Sequence, residues 1–319
     1  MLQEIGSEFW DVPTSAENDL FPKDTQWFLS GRSALKAILR ENRFYTAAVP
    51  FWCCDSMIRP FLEESIEVVF YDKELPRADV ALMLDHFGFS SDLNTSGFAG
   101  AIIRDLTHAI FSERKTDADY YFGSMRKWAG FYTGGFAWGF KHPVSYEIDD
   151  TQFVNMRKAA MEWKARYMRG ETDDKGYLSL FSEAEEILEH TGGVLPAADR
   201  DVKLMKRFDA LFVKERRREN AKILINEFSD MVVFPKMCEK DCPLFVPILV
   251  PQGKRNALRS HLIRQSIYCP VHWPLSEYHA IGAEQKAVYD NVLSLVCDQR
   301  YTVEDMKRTV CAVKDFLEG

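Results

Sequence analysis

The 319-residue sequence predicts an α/β protein with a large N-terminal domain, a helical bridge and a smaller C-terminal α+β domain. Short apolar segments alternate with helix-like segments through the first 140 residues. That pattern is typical of βαβ units and of a mostly parallel sheet with helices on both faces. From about residue 151 to residue 226 helical patterns dominate, and the last third alternates again. These three observations carry the prediction.

The large domain is predicted to contain a run of strands connected by helices. The strands, in chain order, are Tyr45–Val49, Glu67–Tyr71, Val80–Leu84, Ala101–Arg104, Tyr120–Phe122 and Phe136–Phe140. Ala34–Leu39 is predicted to be helical because its apolar residues share one helical face, and Met57–Leu62 is a second helical segment.

The remainder is predicted to be a helical bridge followed by the small domain. The predicted bridge helices are Met161–Arg169, Leu178–Leu188 and Val202–Ile225. The predicted strands of the small domain are Met231–Phe234, Leu244–Val250 and Ile267–Trp273. Its predicted helices are Arg255–Arg264 and Val303–Leu317. Thr191–Gly193 and Pro196 interrupt the helical pattern. We therefore assign residues 1–195 to the large domain with its helical extension and residues 196–319 to the small domain.

The composition is that of an ordinary folded protein, with 46% hydrophobic and 28% charged residues. A net charge of −8 argues against nucleic-acid binding, which needs a basic face. No apolar run approaches the roughly 20 residues of a membrane-spanning helix, and the N-terminus lacks a signal-peptide pattern. Seven irregularly spaced cysteines predict reduced thiols rather than a metal site. We expect a cytoplasmic protein that binds no metal, membrane or nucleic acid.

The segment Ser30–Leu35, with the sequence SGRSAL, opens the first predicted helix. Backbone N–H groups at a helix start, together with a nearby hydroxyl group, form a ready anion-binding site. The alternative is that Ser33 is a simple N-cap and that nothing binds there.

Asp105 follows the predicted strand Ala101–Arg104, and His108 comes three residues later. Ligands of open parallel sheets sit at the carboxyl ends of the strands, so a carboxylate there is well placed for a site. The alternative is an aspartate that caps the next helix beside a hydrogen-bonded core histidine. His86 follows Val80–Leu84 in the same way and is equally well explained as a structural histidine.

Ser124 and Lys127 form a Ser-x-x-Lys motif after the next strand, followed by Gly134-Gly135. Burial among aromatic residues would desolvate the lysine and leave its neutral amine available for Schiff-base chemistry. The alternative is a surface lysine beside Arg126.

In this order and spacing, the segments resemble the DegT/DnrJ/EryC1/StrS family of sugar aminotransferases. The matching segments are Gly31–Leu35, Pro50–Trp52, the pair Asp105 and His108, the pair Ser124 and Lys127, and, as C-terminal signatures, His272–Pro274 and Asp298–Tyr301. The sequence departs from the family at Arg126, where many members have His, Thr or Asn, and at Tyr132-Thr133, where an acidic residue often precedes the double glycine. The resemblance implies a fold-type-I, aspartate aminotransferase-like three-layer large domain and a homodimer.

The resemblance also implies a role for each matching residue in binding pyridoxal phosphate. Lys127 would hold the cofactor covalently and move the proton, and Asp105 would pair with the pyridine nitrogen. His108 would orient Asp105 or approach the ring hydroxyl, and Trp52, or failing that Phe51, would stack on the ring. The phosphate would be held by Gly31, Arg32, Ser33 and Ser124, although Arg32 is equally well placed to point to solvent.

The activity that the resemblance implies is transfer of an amino group from glutamate to a nucleotide-linked keto sugar in glycan biosynthesis. Two alternatives remain at this point: a fold-type-I decarboxylase or lyase that acts on a small amino acid, and a non-catalytic regulatory relative. His272 and Trp273 are placed to reach the substrate or to pack in the core. Arg43, Arg126 and Arg300 are all candidates for binding the carboxylate of the amino donor.

Overall fold

The structure is a computed structural model that describes residues 4–90, 93–113, 118–148 and 151–319. The strands are β1 (Ile5–Gly6), β2 (Gln26–Phe28), β3 (Thr46–Pro50), β4 (Glu67–Tyr71), β5 (Val80–Leu84), β6 (Ala101–Asp105), β7 (Tyr120–Ser124), β8 (Gly135–Trp138), β9 (Val246–Leu249), β10 (Ile267–Tyr268) and β11 (Val292–Leu295). The helices are α1 (Gly31–Glu41), α2 (Asp55–Glu63), α3 (Gln152–Met168), α4 (Tyr177–His190), α5 (Asp199–Met205), α6 (Ala210–Glu227), α7 (Arg255–Arg264), α8 (Ala283–Asn291) and α9 (Val303–Glu318).

The chain divides into two compact units that interleave along the sequence. Unit 1 comprises Met1–Ser7, Phe44–Asp119 and Ala210–Gly319, and unit 2 comprises Glu8–Arg43 and Tyr120–Asp209. The division into residues 1–195 and 196–319 stays a prediction.

In unit 1, parallel strands follow the order β6-β5-β3-β4. The register places Pro50 opposite Tyr71 and Leu84 opposite Asp105, so these strands end together at one edge. A second, antiparallel pair joins β9 to β11, and β1 pairs with β10. The core of this unit is a large apolar cluster that continues from the strand ends through α6, α7 and α9.

In unit 2, antiparallel strands follow the order β2-β8-β7. Helices α3 and α4 pack against each other, and their buried residues form two apolar clusters, one centred on Phe153 and one on Tyr177. The parallel βαβ arrangement of unit 1, together with the helices of both units, confirms the α/β class that the sequence predicts.

Most predicted elements are present, and the differences have physical reasons. The predicted helix Val202–Ile225 is two helices, because Phe208 forms a bridge with Thr14 in the turn between them. Met231–Phe234 is not a strand, and only Val232 bridges to Ile248. Within the described ranges, every helix is too short or too polar to span a bilayer.

Candidate active site

In unit 1, Asp105 is the last residue of β6 and is almost fully buried, with 4% of its surface exposed. Its Oδ1 accepts the backbone N–H of Thr107 at 2.7 Å. Burial raises the pKa of this carboxyl to about 6, even though hydrogen bonds from Thr107 act to lower it. Among the described residues, no cation contributes to this pKa. A cationic ring nitrogen placed beside Asp105 would return it to the ionised form, so the residue fits a pyridinium group.

Arg104, which precedes Asp105 in the sequence, forms an ion pair with a different carboxylate. Successive side chains of a strand point to opposite faces. The Arg104 guanidinium pairs with the Asp85 carboxylate at 3.0 Å, and both side chains are buried. The arginine next to Asp105 in sequence therefore has its own counter-ion.

His108 is buried and packed between aromatic rings. Its Nδ1 accepts the backbone N–H of Phe87 at 3.2 Å, which in a neutral ring places the proton on Nε2. The indole of Trp273 lies nearly parallel to the His108 ring, with ring centroids 5.5 Å apart. Phe87 has a φ of +53°, a strained value for a bulky residue, in the turn that follows β5. The backbone N–H group that orients the His108 ring therefore belongs to this strained turn.

Trp52 follows the end of β3 and is buried against His86. The two rings are stacked at 4.9 Å, and Trp52 Nε1 donates to the carbonyl of His272 at 3.2 Å. His86 Nε2 lies 2.6 Å from the Trp52 carbonyl oxygen. Burial lowers the pKa of His86 although this carbonyl and Asp85 act to raise it. His86 is therefore a neutral ring that supports Trp52.

A cavity of about 320 Å³ opens at the ends of β3, β4 and β5 in unit 1. Its lining is mainly apolar and also contains Asp72 and His86. The other lining residues include Phe51, Trp52, Tyr71, Met83, Leu84, Leu93, Val233, Phe234, Leu249 and Val288. The carboxyl ends of parallel strands are the usual place for a ligand in an open sheet. Phe51, the alternative to Trp52 as a ring platform, lines this cavity as well.

In unit 2, the N-cap of α1 is Ser30 and not Ser33, because Ser30 Oγ accepts the Ser33 N–H at 3.2 Å. A Cβ added at Gly31 would lie 3.6 Å from Ser124 Cβ, so the start of α1 meets the end of β7. Within the described chain, the N–H groups of Gly31 and Arg32 have no acceptor, as expected for a first helical turn. This backbone, with the nearby Ser124 hydroxyl, suits a phosphate group.

The other two predicted phosphate ligands use their side chains within the protein. Arg32 forms an ion pair with Glu189 at 3.0 Å and also donates to the carbonyl of Leu188. Ser33 Oγ accepts the Leu195 N–H at 2.6 Å. Arg32 and Ser33 can therefore offer an anion only their backbone groups at this helix start, and the Ser33 N–H is already capped.

Gly134 and Gly135, which have no side chains, allow the start of β8 to lie close to the backbone of Ser30 and Arg126. A Cβ on Gly135 would lie only 2.2 Å from the Ser30 carbonyl oxygen, and one on Gly134 would lie 3.1 Å from the Arg126 nitrogen. Met125 N–H donates to the Gly134 carbonyl at 2.9 Å. Glycine is required at position 135 because the backbone of the helix cap occupies the space of a side chain.

Lys127 ends the 3-10 turn Met125–Lys127, directly after β7. Its side chain is exposed, so the expected desolvation of this lysine is not observed. The preceding residue, Arg126, forms an ion pair with Glu185 of α4. Among the arginines considered for the donor carboxylate, Arg300 is paired with Asp298 at 2.8 Å and Arg43 is exposed.

The sequence motifs gave no indication of the charged residues that pair around this turn. Glu185 pairs with Arg157 of α3 as well as with Arg126, and Arg157 also contacts Glu8 at 3.3 Å. One signal was present, since Arg157 is spaced four residues from both Phe153 and Met161 and so falls within the buried stripe of its helix. In the described parts of the chain, no group of three or more His, Cys, Asp or Glu side chains could hold a metal ion.

The chain is similar in structure to several aminotransferases of known structure. A DegT DnrJ EryC1 StrS aminotransferase from Brucella abortus aligns with a TM-score of 0.62 and 13% identity over 92% of this chain and 85% of the other. PseC from Helicobacter pylori, involved in the biosynthesis of pseudoaminic acid, aligns with a TM-score of 0.64 and 16% identity over 92% and 86%. The aminotransferase TlmJ from Streptoalloteichus hindustanus gives 0.65 and 14% over 92% and 86%.

No protein-family model and no curated protein sequence matches the chain. The structural similarity nevertheless extends over nine-tenths of the described fold, and it confirms the predicted fold-type-I, aspartate aminotransferase-like architecture.

Proposed function

We propose that the protein is a pyridoxal-phosphate-dependent aminotransferase of the DegT/DnrJ/EryC1/StrS type. In this proposal it transfers an amino group from glutamate to a nucleotide-linked keto sugar in glycan biosynthesis. The observation that carries the proposal is Asp105, a buried carboxylate at the end of a parallel strand whose pKa is raised to about 6 by burial. A buried acid without a cation is costly unless a ligand supplies one.

The chemistry divides between the cofactor and the chain. Pyridoxal phosphate, when bound, supplies an electron sink for the substrate carbanion. Lys127 is the proposed attachment point and general base, because its Nζ can accept the proton from the substrate carbon and return it. Asp105 would favour the protonated form of the ring nitrogen, because its carboxylate would supply the negative charge that a cationic ring needs. The exposure of Lys127 and its place on a short turn leave its amine able to reach a ligand.

The remaining predicted residues hold and orient the cofactor. His108, whose Nδ1 accepts the Phe87 N–H, is the residue proposed to orient Asp105 or to approach the ring hydroxyl. Trp52 is the proposed platform for the cofactor ring, and the His86 ring stacks on one face of its indole. The first turn of α1 with Ser124 is the proposed phosphate site.

The proposed acceptor is a nucleotide-linked keto sugar. Structural neighbours include PseC, which acts in pseudoaminic acid biosynthesis, and other aminotransferases. The apolar cavity at the strand ends adjoins Trp52 and is large enough, at about 320 Å³, for a ring of the acceptor. We propose further that the protein works as a cytoplasmic homodimer whose small domain spans residues 196–319.

The absorption spectrum of the purified protein with added pyridoxal phosphate tests the proposal. We expect a band near the visible edge that glutamate bleaches and that Lys127→Ala abolishes. Lys141→Ala, at another exposed lysine, is the matched control and should keep the band. A wild-type protein without a band would contradict the aminotransferase function and favour a non-catalytic relative. A band with release of carbon dioxide or C–S cleavage, without amino transfer, would favour a decarboxylase or lyase.

A further inference from the structure

Trp273 makes ring contacts with several residues of the candidate site in unit 1, although it belongs to no helix or strand. Its indole is nearly parallel to the His108 ring, with centroids 5.5 Å apart, and meets the Trp52 indole edge-on at 6.1 Å. It also lies 5.8 Å from the centre of the Phe87 ring and 6.4 Å from that of the His86 ring. The side chain is half-buried and packs at the boundary of the apolar core. Trp273 therefore lies directly against residues that are proposed to contact the cofactor.

The segment that carries Trp273 is fastened to strand β11. Ser294 of that strand is fully buried, its Oγ lies 2.9 Å from His272 Nδ1, and its N–H donates to the Pro270 carbonyl at 3.0 Å. The His272 carbonyl in turn accepts the Trp52 indole N–H at 3.2 Å. These contacts fix the backbone that leads into Trp273, so the indole has a defined position against the site.

The His108 ring is oriented by a hydrogen bond and by flat neighbours. Its Nδ1 accepts the Phe87 N–H at 3.2 Å. The Phe87 ring is tilted by 33° against it, whereas the Trp273 ring is tilted by only 16°. A hydrogen bond fixes one nitrogen but lets the ring tilt about it, and a nearly parallel aromatic neighbour opposes that tilt. Loss of the indole should therefore loosen the His108 ring and its hydrogen bond together.

We propose that Trp273 is a positioning residue for the cofactor site, because its indole fixes the ring planes of His108 and Trp52. The inference rests on the proposed roles of these two residues in binding pyridoxal phosphate. Trp273 acts through them and needs no contact of its own with the cofactor. Residues that contact a ligand bind it best when their own orientation is fixed by a second layer of packing. Removal of the flat ring should therefore weaken cofactor binding without unfolding the turn that follows β5.

Hydrogen exchange of the Phe87 amide, measured by NMR on the full chain without added cofactor, tests the proposal. This amide exchanges when its bond to His108 opens. We expect Trp273→Leu to speed the exchange about fivefold, the size of the effect of losing an aromatic pair. Trp273→Phe keeps a flat ring and should stay within about twofold of the parent. The Gly88 amide, which donates to the Asp85 carbonyl in the same turn, is the internal reference and should not change.

The reference amide separates positioning from a purely structural role. Equally faster exchange of Gly88 and Phe87 in Trp273→Leu would show that the whole turn opens, and that result would overturn the proposal. An unchanged Phe87 rate in this variant, or an equally fast rate in Trp273→Phe, would also overturn it. A leucine variant that fails to fold is replaced by Trp273→Met, which is judged by the same criteria.

Titration with pyridoxal phosphate measures the consequence for the cofactor. We expect Trp273→Leu to weaken binding about fivefold. Trp163→Leu, at a half-buried tryptophan of α3, is the matched control and should bind as the parent does. Equal affinities in the two variants would overturn the role in cofactor binding. A parent that binds no pyridoxal phosphate would contradict the proposed function, and the Phe87 exchange rates would still decide whether Trp273 positions His108.

Discussion

In unit 1 the candidate site residues are buried and packed ring against ring, whereas in unit 2 the lysine turn is exposed and held by ion pairs. Asp105 and His108 each expose about 5% of their surface or less. Lys127 is exposed, and its neighbour Arg126 is paired with a half-exposed carboxylate. For the proposed roles, the comparison separates residues that we expect to stay fixed from a residue that we expect to move.

The difference follows from what each part is proposed to do. A carboxylate that controls a ring nitrogen acts most strongly in a low-dielectric, rigid setting, and burial provides both. An amine that binds a ligand and then acts as a base needs freedom of movement and access to its protonated and neutral forms. Half-exposed ion pairs suit that need, because each contributes little stability.

Asp105→Asn should have the largest effect and should separate function from stability. We expect about a thousandfold loss of aminotransferase activity, a magnitude typical of removing a preorganised charge from an active site, and a weakened visible absorption band. Titrating pyridoxal phosphate into the parent and the variant, followed by steady-state kinetics, measures both. A loss of activity of less than tenfold would show that Asp105 does not have the proposed role in the reaction.

The same substitution should stabilise the cofactor-free protein. The pKa of Asp105 is raised to about 6 from an ordinary 3.8. At a pH between these two values, the folded state therefore binds more protons at Asp105 than the unfolded state does. The stability of the parent therefore falls as the pH rises from about 4 to about 6 and stays low above it. Two pKa units correspond to about 3 kcal/mol, which Asp105→Asn should regain at pH 8.

Denaturant unfolding at pH 4 and at pH 8 checks this gain in stability. The variant should differ from the parent at pH 8 and match it at pH 4. Asp315→Asn, at an exposed aspartate of α9, should match the parent at both values. An Asp105→Asn protein that is less stable than the parent at pH 8 would show that the buried carboxyl is compensated in the free protein.

Gly135→Ala should show that unit 2 depends on close backbone packing. The new Cβ would meet the Ser30 carbonyl oxygen at 2.2 Å, so the cap of α1 or the start of β8 must shift. Overpacking of this kind costs about 1–3 kcal/mol, and it should also weaken phosphate binding. Gly192→Ala meets only the end of Lys36 at 3.9 Å and is the control. Equal unfolding midpoints for the two variants would refute the proposed packing constraint.

Ser30→Ala should have the smallest effect. It removes the hydroxyl that accepts the Ser33 N–H, and loss of such an N-cap costs about 1 kcal/mol. Ser182→Ala, at an exposed serine of α4, serves as the reference in thermal unfolding. If Ser30→Ala melts with the reference, the start of α1 is held by its tertiary contacts rather than by its cap.

Elements with a strong apolar pattern could be predicted from the sequence, and elements shaped by tertiary contacts could not. Val80–Leu84 and Arg255–Arg264 have the predicted bounds. Helix α8 buries only Tyr289, so it has no apolar stripe to detect. Phe234 looks like part of a strand, but it stacks on Phe89 at 4.7 Å in the core and forms no ladder.

In the candidate site, too, only the features carried by local sequence motifs could be predicted. The motifs at Asp105 and Lys127 were visible because their order and spacing resemble a known family. The raised pKa of Asp105 depends on burial, and the link between Arg126 and Glu185 joins residues 59 positions apart. A single sequence carries no sign of either effect, because both arise only when distant segments pack together.

The start of α1 has one further consequence, which concerns divergence. Arg32 and Ser33 use their side chains for internal bonds, so the proposed phosphate site consists mainly of main-chain N–H groups and a few close approaches. Almost any residue supplies a main-chain N–H group, and only positions such as Gly135 are tightly restricted. A binding site of this kind can survive the replacement of most of its neighbours.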